Sequence, residues 1–261
     1  MAKNFKELLS KVSECSKKTL AVACAQDQAV LEAVKEANER GIASSILVGD
    51  EEKIREIAAS INMDLSDFKI INVVDTVEAS LAAVKLVHDG EADMYLKGLL
   101  DTKTFLKSVL DKEVGLRTDK TLSHVCVFEC EGIDRLLFLT DVAFLPYPTL
   151  EDKVAIINNT VEIAHACGIE CPKVAGMAAV EVVNPKMKET VEAFELSKMQ
   201  DEGKITGCIV DGPLSMDCAL YPHACEEKGC LDRKVPGNAD ILLFPDIQAG
   251  NLVYKTFVHL V

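Results

Sequence analysis

Short apolar runs alternate with longer amphipathic stretches along the first 111 residues. Residues 20–24, 45–48, 69–74 and 93–96 read as buried strands, and 27–40, a charged stretch from Glu51, 77–88 and about 102–111 read as helices. An amphipathic leader over 3–14 precedes them. Gly41, Gly49-Asp50 and Gly90 mark the joins, where helices stop and strands end. Strands alternating with helices over short loops predict a parallel sheet with right-handed crossovers.

The rhythm changes near residue 120. Residues 122–128 and 135–140 are strand-like and predict a hairpin across 129–134. Pro146-Tyr147-Pro148-Thr149 introduces a long helix to Cys167; a strand over 173–178 and a helix from Asn184-Pro185 to about Glu202 follow. Another strand over 207–210 leads through Asp211-Gly212-Pro213-Leu214 to a helix from Met216. The apolar run 241–244 has the pattern of a strand covered on both faces, and Pro245 ends it. Gly250 and Asn251 are then expected where loop becomes helix, with Asn251 as N-cap. The predicted fold class is α/β in two domains. Residues 1–120 plus 241–261 form the first, and 121–240 form an inserted second.

The chain has 261 residues, 49% of them hydrophobic, enough for one large or two smaller cores. A net charge of −14 argues against nucleic acid or an anionic membrane as the main partner. No apolar run has the length of a membrane span and the N-terminus lacks an apolar signal core, so a cytoplasmic protein is expected. Ten cysteines are too dilute for a disulfide scaffold. Three His/Cys clusters (His124/Cys126/Cys130, His165/Cys167/Cys171, His223/Cys225/Cys230) hold zinc-type residues, but none contains a CxxC pair. His124, Cys126 and Phe128 alternate as core-facing residues would, so reduced thiols and no metal are expected.

In so acidic a chain an anionic ligand needs a local cluster of cations and N–H groups. Tyr95-Leu96-Lys97-Gly98-Leu99-Leu100-Asp101-Thr102-Lys103 ends a strand; Gly98 permits close backbone approach, and Lys97, Thr102 and Lys103 suit a phosphate. A solvated loop with two lysines reads the same way. Asp211 suits either a ligand or the cap of the next helix, and Arg117 either a forked phosphate contact or plain surface. The helix start near Asn251, with Lys255 one turn in, suits an anion or an ordinary strand-to-helix turn. Neither G-x-x-x-x-G-K-[ST], G-x-G-x-x-G nor G-x-S-x-G occurs.

Seven segments carry a resemblance. They are Met94–Thr102, Glu113–Thr118, Leu122–Val125, Leu136–Asp141, Val180–Met187, Val210–Leu214 and Gly250–Lys255. In this order, over nearly the whole length, they resemble the phosphate acetyl/butyryltransferase family. The resemblance implies reversible transfer of a short acyl group, butyryl above all, between coenzyme A and inorganic phosphate. It also implies two α/β domains around a cleft, like those of the isocitrate/isopropylmalate dehydrogenases, and a homodimer or larger homo-oligomer. Coenzyme A, acyl-CoA, phosphate and acyl phosphate are then the ligands, with no permanently bound cofactor. Lys97, Thr102 and Lys107 are the expected catalytic residues. Gly98, Arg117, Asp211, Gly212, Pro213, Gly250, Asn251, Tyr254 and Lys255 are the expected substrate contacts.

Two departures matter. The family carries Arg where this chain has Lys107, which keeps the charge but loses the two-pronged geometry. The family's later Ser-Arg pair and Asp lie past Val261, so a chain lacking that segment is expected, and the apolar end of the last helix expects a cover. A binding or regulatory relative that holds CoA or acyl phosphate with weak turnover is the alternative.

Overall fold

In the computed structural model residues 2–260 are described. They form two compact units, one of residues 10–119 and one of residues 2–9 with 120–260.

The first unit holds β1 (Lys18–Ala23), α2 (Gln28–Glu39), β2 (Ala43–Gly49), α3 (Glu51–Ser60), β3 (Lys69–Asn72), α4 (Thr76–His88), β4 (Met94–Lys97) and α5 (Thr102–Val109). α1 (Phe5–Val12) spans the division between the units. The four strands are parallel in the order β3-β2-β1-β4, with Leu20 opposite both Ser45 and Met94. Each helix from α2 to α5 starts on an Asp (Asp27, Asp50, Asp75, Asp101) whose carboxylate accepts backbone N–H groups of the first turn. Leu31, Val34 and Ile54 press α2 and α3 onto Val22 and Leu47 on one face. Ala79 and Ala83 of α4, with Phe105 of α5, pack on Ala21, Ala23 and Tyr95 on the other. The chain therefore leaves β1 toward one face and β4 toward the opposite face. That divergence is the topological switch point, where open α/β sheets keep their ligands.

The second unit is built from β5 (Val125–Phe128), β6 (Leu137–Thr140), α6 (Leu150–Ala166), β7 (Lys173–Met177), α7 (Lys188–Asp201), β8 (Ile209–Leu214), α8 (Met216–Leu220), α9 (Pro222–Glu227), β9 (Ile241–Leu243) and α10 (Ile247–Leu260). Its sheet runs β5-β6-β9-β7-β8, with the β5–β6 pair antiparallel and the rest parallel. Leu136, Phe138, Val174 and Ile241 meet α6 and α7 on one face; Leu137, Leu139, Leu242 and Phe244 meet α8, α9 and α10 on the other. Each of these fully covered side chains contributes roughly 1.5–3 kcal/mol of burial. After β7 the chain turns to the α7 face, and after β9 to the α10 face, so this sheet has its own switch point between β7 and β9.

Three expectations change. The run 241–244 is a buried parallel strand, as its pattern implies, but it belongs to the second sheet. Ile241–Leu243 lies between Phe138–Thr140 and Val174–Gly176, so 241–260 joins the second unit rather than the first. Residues 2–9 likewise pack there, with the Ala2 amide on the Cys167 carbonyl and the Phe5 amide on Glu129. The last helix starts at Ile247, not at Leu252. The Asp246 carboxylate accepts the Ala249 N–H at 3.0 Å, which places Asn251 inside the helix and removes its capping role.

Candidate active site

In the first unit the loop after β4 is fixed by its neighbours. A Cβ on Gly98 would lie 2.4 Å from both the Ala23 and Cys24 carbonyl oxygens, so only glycine fits. The Gly98 and Leu99 amides donate to those carbonyls at 2.9 Å, binding the β4 loop to the end of β1. Cys24 sits there at φ 54°, a left-handed conformation uncommon for any residue but Gly, Asn or Asp. Such strain costs about 1–3 kcal/mol and persists where the surroundings enforce it, commonly at functional sites. Burial pushes the Cys24 thiol up, Asp75 adds to this, and Lys97 pulls the other way, so all three groups share the switch point.

Below the loop, Tyr95, Ser80 and Ser108 close a hydroxyl triangle with sides of 2.8, 2.8 and 3.2 Å. Tyr95 also stacks on Phe105 with centroids 5.2 Å apart. This network locks α5 to β4 and α4, and so fixes where Thr102, Lys103 and Lys107 emerge. Asp101 already occupies the first turn of α5, accepting the Thr104 N–H and hydroxyl at 2.9 and 2.6 Å. Thr102, Lys97, Lys107 and Arg117 are exposed.

The cations of this unit fall into two groups. Every Lys and Arg from Lys17 to Lys85 has a carboxylate, amide-oxygen or carbonyl partner. Lys97, Lys103, Lys107, Lys112 and Arg117 have no hydrogen-bond or ion-pair partner among the described residues. The Asp111 carboxylate is held low chiefly by the Val114 and Glu113 amides, with Lys107 adding a weaker pull. The loop after β4, α5 and the segment that follows thus leave positive charge available for an anion.

In the second unit several expected contacts do other work. Asp211 is buried and receives Arg233 through Nη2 at 2.7 Å and Nε at 3.1 Å, and the Val235 and Gly212 amides at 3.0 and 2.8 Å. Its carboxylate is saturated, and Ser215, not Asp211, is the residue before α8. A Cβ on Gly212 would lie 2.9 Å from that of Ala193, so Gly212 lets α7 approach β8, and Pro213 is buried beside it. A Cβ on Gly250 would lie 2.6 Å from the Asp141 carbonyl, and the Asn251 amide donates to the Val142 carbonyl at 3.0 Å. Both residues dock α10 on the end of β6. Tyr254 joins an edge-on cluster with His124 and Phe128, and the Lys255 ammonium lies 5.3 Å from the Tyr254 ring. Of these positions Lys255 is exposed and Tyr254 half-buried.

Sequence reasoning missed Arg233 and a network at the carboxyl ends of β7 and β8. The Ser215 hydroxyl donates to Glu181 and Asp217, and the Lys228 ammonium reaches Glu181, Ser215 and Asp217 at 2.9–3.1 Å. The Ser215 hydroxyl and Lys228 hold Asp217 down to about 2. Burial pushes Glu181 up, but Ser215 and Lys228 outweigh it. One signal existed: a buried Asp at a strand end requires a cation, and Arg233 follows in the next loop.

The His/Cys spacings do not predict what comes together. Among the described residues the sulfurs of Cys218, Cys225 and Cys230 lie within 4.8 Å of one another, while His223 packs on Tyr221. These three thiols could hold a thiophilic metal only after losing protons. Burial opposes that loss, pushing Cys225 up to about 12. Cys126 and Phe128 do pack on the core, as their alternation implies.

Two covered sheets, one parallel and one with an antiparallel edge pair, each have a loop-rich switch point. A branched-chain phosphotransacylase from Enterococcus faecalis V583 superposes with a TM-score of 0.79 at 31% identity, covering 93% of this chain and 84% of that one. The phosphate butyryltransferase of Clostridium beijerinckii is 57% identical over 99% of this chain and 85% of its own length. That of Clostridium acetobutylicum is 56% identical over 99% and 86%. The pattern of the family described as phosphate acetyl/butaryl transferase matches residues 4–79 and 73–260, and the chain belongs to that family.

Proposed function

We propose that this protein transfers a short acyl group, butyryl by preference, between coenzyme A and inorganic phosphate: butyryl-CoA plus phosphate gives butyryl phosphate plus CoA. Among the described residues Lys97, Lys103 and Lys107, on the loop after β4 and on α5 of an otherwise acidic chain, are cations without a partner, and they carry the reading. A phosphate oxygen attacks the thioester carbonyl carbon, and the carbonyl electron pair moves onto oxygen. When it returns, the C–S bond breaks and the CoA thiolate leaves. Lys97 and Lys107 balance the phosphate and the developing oxyanion, Thr102 donates a hydroxyl, and Arg117 and the Gly98 loop hold the phosphate. Asp211, Gly212, Pro213, Gly250 and Asn251 support the second unit through packing.

The same reading has the units as two α/β domains of the isocitrate/isopropylmalate dehydrogenase kind. It also has a cytoplasmic homodimer or larger homo-oligomer, with CoA as substrate and no resident cofactor. No described helix is long and apolar enough to cross a membrane. A thiol-release assay with butyryl-CoA tests the proposal. Release should depend on added phosphate. CoA binding without phosphate-dependent release would overturn it in favour of a binding protein.

A further inference from the structure

No step of the acyl transfer uses the thiols of Cys218, Cys225 and Cys230. All three lie in the second unit, where the fold converges them. Cys218 sits in α8 and Cys225 in α9, and Cys230 follows the Gly229 turn, whose φ of 67° brings the chain back. The Cys230 amide donates to the Cys225 carbonyl at 2.8 Å. The Cys225 thiol donates to the Cys218 carbonyl at 3.2 Å, and the Cys230 thiol to the Cys218 sulfur at 3.7 Å. The three sulfurs fall within 4.8 Å of one another. An atom bonded to three sulfurs at about 2.3 Å holds them roughly 3.5–4 Å apart, close to this spacing.

Charge decides which atom fits. The thiols are buried in an apolar cluster with Leu214, Leu220, Ala224 and Val235. Within 4.8 Å of the Cys218 sulfur stand the Glu181 and Asp217 carboxylates, both already tied to the Lys228 ammonium at 2.9 Å. Three thiolates on a monovalent or divalent metal leave a net negative charge, which burial and the carboxylates both oppose. Three thiolates on a trivalent centre leave none. A trivalent metalloid also arrives as a neutral hydroxide that takes up the thiol protons itself. As(OH)3 plus three thiols gives As(SR)3 plus three waters: three As–S bonds form, three As–O bonds break, and no oxidation state changes. We propose that Cys218, Cys225 and Cys230 form a binding site for a trivalent thiophilic metalloid of the arsenite or antimonite class. Residues 226–229 and 231–232 are exposed on either side of Cys230, so local opening of this loop admits the ligand.

The test adds sodium arsenite to the reduced full chain and reads binding by intact-mass spectrometry and calorimetric titration. One arsenic should bind tightly, with a mass gain of one arsenic less three hydrogens, and the melting temperature should rise. A gain that keeps a hydroxyl on arsenic marks a two-thiol adduct and overturns the three-sulfur site. Cys218→Ala, Cys225→Ala and Cys230→Ala should each weaken binding roughly tenfold or more. Changing the exposed thiols, in Cys15→Ala and Cys171→Ala, should leave binding as it was. Unchanged affinity in the first three variants overturns the assignment. Arsenite binding releases no proton, so its affinity should stay level from about pH 6 to about 8, whereas zinc must displace protons and should bind more weakly, gaining with pH. Zinc that displaces arsenite overturns the charge argument and the proposal with it. Circular dichroism melting checks folding. Cys230→Ala, in the loop, carries the test by itself if the variants in α8 and α9 do not fold.

Discussion

At Gly98 one hydrogen atom in place of a methyl group decides where the β4 loop runs. Two carbonyl oxygens stand 2.4 Å from the position a Cβ would take, and both belong to backbone that cannot swing aside. Gly98→Ala should therefore cost about 1–3 kcal/mol, the usual cost of overpacking, and lower activity with it. Urea denaturation beside thiol-release rates checks this; unchanged stability would show that β1 gives way. Lys107 poses a different question, because its ammonium is free and exposed. Arginine there keeps the charge and adds a two-pronged donor. Lys107→Arg should leave kcat/KM for phosphate equal or higher, and a tenfold loss would mean that the site is built around the shorter ammonium.

Helices α6 and α7 are held together by a charge pair rather than by apolar contact alone. Lys153 is only 3% exposed, and its ammonium meets Glu192 at 2.6 Å. Burial pushes Glu192 up, but Lys153 and Lys188 hold its carboxyl low. Removing one partner strands a buried charge, so Glu192→Ala should cost about 3–5 kcal/mol. The double variant Lys153→Met/Glu192→Leu should return close to the parent, because two matched apolar groups replace two desolvated charges. Denaturant midpoints for the three proteins decide the matter; additive losses would refute it. The start of α10 teaches a related lesson about elements. Gly250 and Asn251 look like a helix entry in sequence, yet Asp246, five residues before Asn251, captures the first turn.

Across the whole molecule, buried titratable groups set a window of stability. Burial pushes His124 below its ordinary value of 6.5, with Asp141 opposing weakly. The unfolded chain binds that proton first, so stability is full above pH 6.5 and falls as pH drops toward the folded value. On the alkaline side burial pushes the Cys126 and Cys208 thiols from 9.0 up to about 11. The folded state keeps protons that the unfolded state releases, so stability falls as pH rises from 9 through about 11. Urea unfolding under reducing conditions from pH 5 to 11 should show a plateau between these limits. In His124→Gln the acid-side fall should shrink, and an unchanged slope would remove His124 from the account.

Local periodicity determined the order and type of most elements, since apolar runs and glycine stops act within one turn of the chain, but β8 runs on to Leu214 and α10 starts at Ile247. It also determined that 241–244 is covered on both faces. Which strands cover it is a long-range matter: Ile241–Leu243 finds its register with residues about 100 and about 67 positions earlier, and no local signal encodes that choice. The charges at 97–117 were visible in sequence. That they are free, while Asp211 is saturated by Arg233, follows only from which side chains the fold brings within hydrogen-bonding reach. A cavity lined by Met177, Met216 and Phe244 has no contiguous motif, because β7, α7, α8, α10 and the turn after β9 each supply part of its wall.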